Sequence, residues 1–176
     1  MRPAAAIAVP TSPRQVRAQF EQLLGLHALS AVRQMRSVIT PAVPELQRAA
    51  DVSLQANTDA LGRLVASAYG SAQADRFTRL WRRHLVDLVA YAKAVAGNDT
   101  AATQKARAAL LADADAYGSW LAQASKGQVR ARVAAGVRMH VEELMDQADA
   151  YAPGTTSGPT GSNGAPMSIC SPPGPG

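Results

Sequence analysis

Three histidines, His27, His84 and His140, stand 57 and 56 residues apart, and they are all the chain has. Imidazole is the one side chain that is both a good ligand for first-row metals and close to neutrality near pH 7. Two of the three carry a carboxylate three residues on, Asp87 after His84 and Glu143 after His140, while Ser30 holds that place after His27. On a helix an i,i+3 pair shares a face, so His84 with Asp87 and His140 with Glu143 are candidate ligand pairs. Imidazole and carboxylate together suit Zn, Fe or Cu. Because imidazole must be neutral to bind a metal, the expected affinity falls as pH drops through the region near 6.5.

The surroundings of the histidines repeat with them. His27-Ala-Leu-Ser-Ala-Val lines up with His84-Leu-Val-Asp-Leu-Val and with His140-Val-Glu-Glu-Leu-Met. Asn57-Thr-Asp-Ala-Leu-Gly62 lines up with Asp113-Ala-Asp-Ala-Tyr-Gly118, and Gly70 with Gly127. A period of this length marks a duplicated helical hairpin. The third unit offers one helix and then a change of composition, so the fifth helix lacks a hairpin partner, and the chain reads either as truncated after Tyr151 or as completed by a homodimer through that helix.

The elements that must position these residues follow from apolar spacing. Ser12-Pro13 supplies an N-cap and a first-turn proline. From there to Ile39 the residues Val16, Phe20, Leu23, Leu24, Ala31, Met35 and Val38 recur at helical intervals. Thr40-Pro41 and Pro44 separate a second helix with Leu46, Ala50, Leu54, Leu61, Leu64 and Ala68 inward, closed by Gly70. Ser71 is the expected cap of a third, with Phe77, Leu80, Trp81, Leu88, Tyr91 and Val95 inward, stopped by Gly97-Asn98. Asn98 or Asp99 opens a fourth, with Ala106, Leu110, Tyr117, Leu121 and Ala124 inward, running to Lys126-Gly127. A fifth, from about Gln128 to Tyr151, turns Val133, Val137, Leu144 and Ala148 to the core. The fold class is all-α: an antiparallel bundle of five helices of about 25 residues each. Each histidine, together with Asn57 and Asp113, then falls near a helix midpoint, and the five form one polar layer across the bundle.

The rest of the composition narrows the function. With aromatics at 5%, alanine and leucine do most of the packing. A net charge of +5 and a pI near 9.9 permit a polyanionic partner. The arginines are spread along residues 14–138, however, and Arg76, Arg79, Arg82 and Arg83 read as a solvated face, so nucleic acid is not the expected partner. Trp81 and Trp120 read as core anchors, and Met35, Met139 and Met145 as gap fillers. Cys170 is the only cysteine, which excludes an intrachain disulfide or a thiolate cluster. No apolar run approaches the roughly 20 residues of a membrane span. Residues 1–12 read as a disordered segment or a degenerate leader, cytoplasmic as written and exported if it is a leader. Residues 13–152 form the bundle. Residues 153–176 carry no charge and are dominated by Gly, Pro, Ser and Thr, which predicts a disordered tail.

The phrases Phe20-Glu-Gln-Leu-Leu-Gly-Leu-His27, Gln55-Ala-Asn57-Thr58-Asp59-Ala-Leu61, Leu80-Trp81-Arg-Arg-His84 and Arg138-Met-His140-Val-Glu142 resemble a group of uncharacterised helical proteins of high-GC actinobacteria. The resemblance spans roughly residues 18–152. It implies an exported protein with further helical sequence beyond this point, and it brings no activity with it. Phosphate loops, nucleophile elbows and Cys/His zinc spacings do not occur. The Glu-x-x-His order of di-iron bundles is reversed here. The reading is a non-enzymatic bundle with a mid-bundle His/carboxylate site for a metal or small ligand. The alternative is a structural or protein–protein interaction module in which the polar layer only fixes helix register.

Overall fold

The computed structural model describes residues 12–40, 44–124 and 130–152, which form five helices: α1 (Pro13–Ile39), α2 (Pro44–Tyr69), α3 (Ser71–Ala96), α4 (Thr100–Ala124) and α5 (Arg130–Tyr151). The segments expected to be disordered, 1–12 and 153–176, lie outside the described residues apart from Ser12.

Local chemistry sets the helix ends. The Ser12 hydroxyl accepts from the Gln15 amide at 3.3 Å while the Gln15 side chain accepts from the Ser12 amide at 3.0 Å, a reciprocal cap ahead of Pro13. Asp99 opens α4 by accepting from the Ala102 amide at 2.9 Å, after Asn98 has reversed the chain at φ 54°. Ser71 does not cap α3. Gly70 takes that position with φ 86°, a conformation that costs glycine little, and no side chain caps the helix. Gly70 thereby joins α2 to α3 in a single residue.

Cross-helix ties fix directions. On α1 and α2, Leu23 meets Asn57 and Ser30 meets Ser53, so the pair is antiparallel. On α3 and α4, Arg83 meets Asp113 and Gln73 meets Trp120, again antiparallel. Tyr91 donates to Asp149 at 2.9 Å and Arg36 covers the Tyr151 ring at 3.8 Å, ties that belong to parallel α1, α3 and α5. These three helices touch one another and make an inner triangle. Outside it, α2 packs on α1 and α3, and α4 packs on α3 and α5. No described outer helix bridges α5 and α1.

The core falls into two clusters. One joins Met35, Ile39, Leu88, Tyr91, Leu110, Val141, Leu144 and Met145, and the other joins Leu61, Val65, Phe77, Trp81, Tyr117 and Trp120. On α1, α3 and α5 the first cluster lies C-terminal to the histidines, and on α3 the second lies N-terminal to His84. The histidine level therefore separates them.

Three positions expected inside are exposed. Leu46 lies in the N-terminal half of α2, which adds no buried residue to either cluster, and it is 64% exposed. Leu24 follows Leu23, whose carbonyl faces α2, and turns about 100° away from it, to 44% exposure. Ala68, near the end of α2, is also exposed. Val133 has no described side chain. Of the methionines, Met35 and Met145 fill the core as expected, but Met139 is exposed.

Candidate metal centre

Each inner helix delivers one histidine to the same level. His27 and His84 are 1% and 2% exposed, and His140 is half-buried. Ring centroids are 5.8 Å apart for His27 and His84, 5.6 Å for His27 and His140, and 6.3 Å for His84 and His140. Each ring offers a nitrogen to a set whose members lie within 4.8 Å of one another. The sequence-derived convergence of the three histidines therefore holds, and the expected start of α5 near Gln128 lies outside the described residues.

The rings are packed by aromatics. Trp81, one turn before His84, lies 4.5 Å from His27 and 6.0 Å from His84. Tyr117, one turn after Asp113, lies 6.3 Å from His84. The sequence reading took Trp81 and Tyr117 as core. Their i,i+3 and i,i+4 spacing to His84 and Asp113 was the available signal that they also wall the site.

Buried polar atoms are normally hydrogen-bonded. Both nitrogens of His27, Nδ1 of His84 and Nε2 of His140 are buried with no hydrogen-bond partner among the described residues. A neutral imidazole carries one N–H and one lone pair, so His27 alone leaves a donor and an acceptor unanswered.

The electrostatics keep these rings uncharged. Burial, then the neighbouring His84 and His140, lower the His27 pKa to about 2. Burial, then His140, lowers His84 to about 3. Burial also lowers His140, against the raising field of Glu143. In the folded protein, desolvation thus moves the protonation of His27 and His84 well below the region near 6.5 where affinity was expected to fall, and that of His140 in the same direction.

The other polar residues take separate places. Glu143 is exposed and Asp87 half-buried, and neither belongs to the mutually close set of ligand atoms. Burial raises the Asp87 pKa, with Arg83 opposing. Asn57 is buried, and its amide donates at 2.9 Å to the Leu23 carbonyl, the oxygen one helical turn before His27. Asp113 is fully buried and accepts from Arg83 Nε at 2.7 Å, leaving Oδ2 without a partner among the described residues. Burial raises its pKa, and the Arg83 hydrogen bond and charge oppose that. Arg83, read from sequence as part of a solvated arginine face, is thus the counter-ion of a buried carboxylate.

No family model, curated protein or solved structure matches this chain.

Proposed function

We propose that the bundle binds one transition-metal ion through His27, His84 and His140. The observation that carries this reading is the mutual approach of three ligand nitrogens within 4.8 Å, on buried rings whose nitrogens lack other partners. Two nitrogens held at 2.0–2.1 Å from one tetrahedral ion lie roughly 3.3 Å apart. For one ion to be held by all three, the rings must close from the present spacing of up to 4.8 Å to that distance. Three imidazoles without a carboxylate favour Zn or Cu over Fe, for which two histidines and a carboxylate are the usual set. If the layer served only to fix helix register, each imidazole would be expected to donate to an acid or amide. The orphaned nitrogens favour the metal reading.

The test is titration of metal-free protein with Zn(II) and Cu(II) against a chromogenic chelator. The expected result is one ion per chain, lost in His84→Phe and His140→Phe, which keep the ring volume, with helicity unchanged by circular dichroism. Folded wild-type protein that takes up neither ion would leave the layer as a register device.

A further inference from the structure

The three histidines differ in how they are roofed. His27 is buried against the Trp81 ring and His84 against the Trp81 and Tyr117 rings, whereas His140 keeps some exposure. On α5, Gly136, His140, Glu143 and Gln147 follow one another at spacings of four, three and four, which is a single stripe. Gln147 shares a small cleft with Val32, Met35, Arg36 and Ile39 of α1, so this stripe faces the α1–α5 seam. Arg36 over Tyr151 closes the far end of that seam. Among the described residues nothing fills the seam at the histidine level: Gly136 is exposed, a Cβ placed there would meet nothing within 4 Å, and the same is true of Gly25 on α1. Glu143 stands exposed beside this gap, one turn from His140.

We propose that the metal ion enters through this gap between α1 and α5, captured first by Glu143 and then passed to His140 and the two deeper imidazoles. The proposal rests on the metal-binding reading above. An exposed carboxylate attracts a hydrated cation without being desolvated itself, and it raises the local cation concentration at the side of the triad that no described outer helix covers. The buried set has no carboxylate, so Glu143 acts on the approach of the ion and not on its final coordination. It is a positioning residue for entry, and Gly136 keeps the passage clear.

The experiment is stopped-flow loading of metal-free protein with Zn(II) from a weak chromogenic chelator, alongside the equilibrium titration. Glu143→Gln is expected to slow association about tenfold, and Gly136→Phe, which fills the gap, to slow it at least as much. Equilibrium affinity should stay within about twofold in both. A barrier to entry is also a barrier to exit, so removal by excess chelator should slow in parallel. Ala112→Phe, on the exposed face of α4, should load at the wild-type rate. Stoichiometric binding with wild-type rates in both seam variants would overturn the entry route alone. Lower affinity in Glu143→Gln at an unchanged association rate would make Glu143 a ligand and overturn its capture role. No uptake by the wild type would overturn the metal reading and the route with it.

Discussion

The two outer helices, α2 and α4, each bridge two inner helices and are held in different ways. α4 supplies Ala106 and Leu110 to one core cluster and Tyr117 and Trp120 to the other. α2 supplies Leu61 and Val65 to one cluster only. Its N-terminal half is flanked by open grooves of about 560 and 480 Å³, with Leu46 and Val52 exposed beside it. Their midplane ties differ as well: α4 is fastened by the ion pair of Asp113 with Arg83, α2 by the neutral bond from Asn57 to a carbonyl of α1. The two ties sit at matching levels of the two hairpins, while the depth of packing and the chemistry of the tie differ.

The largest expected effect concerns what the two hairpins share. Each gives one fully buried imidazole, and both have folded-state pKa values below the unfolded value of 6.5, about 2 for His27 and about 3 for His84. The unfolded chain takes up protons that the folded chain refuses, so their contribution is fully present above pH 6.5 and is lost as pH falls below it. By pH 5 this amounts to about 2 kcal/mol for each histidine. Urea unfolding of metal-free protein across pH 5–8 should show it, and His27→Phe and His84→Phe should each remove about half of the slope. A slope abolished by one variant alone would mean that the two hairpins are not equivalent even here.

The ties give the next effects. Arg83→Ala leaves the Asp113 carboxylate buried without its cation and should cost about 2–3 kcal/mol, less than for a wholly buried pair because Arg83 is half exposed. Asn57→Ala removes one neutral hydrogen bond and should cost about 1 kcal/mol. Urea midpoints decide the order, and equal losses would erase the difference between the hairpins. The smallest effect belongs to Leu46→Gln, expected to change stability by less than about 0.5 kcal/mol because the side chain is already in water. A loss of 2 kcal/mol there would show the N-terminal half of α2 to be packed after all.

Much of this was legible in the sequence, for identifiable reasons. Caps such as Ser12 and Asp99 and stops such as Gly97-Asn98 act within one turn, so the helices could be bounded locally. The histidine layer followed from antiparallel helices of similar length. Arg83 could not be separated from its arginine neighbours, because its partner is 30 residues away and nothing local marks the pair. Leu24 and Leu46 satisfied the helical period and still lie outside, since the period tells which face is apolar and not how far a neighbour extends along it. Glu143 shares a face with His140 as the spacing required. That face points along a seam with no outer helix, and only the packing of α5 against α1 reveals it.

The inner triangle has one more consequence. Its three histidines come from three separate helices, and the outermost two, His27 and His140, are 113 positions apart in the chain. An ion held by both would act as a reversible cross-link between the two ends of the bundle and would close nearly the whole fold into a ring. In chain-entropy terms, a covalent bridge closing a loop of that size removes on the order of 4–5 kcal/mol of unfolded-state freedom. The loaded protein would then resist being pulled apart by its termini, and a chelator would act as the reductant does for a disulfide.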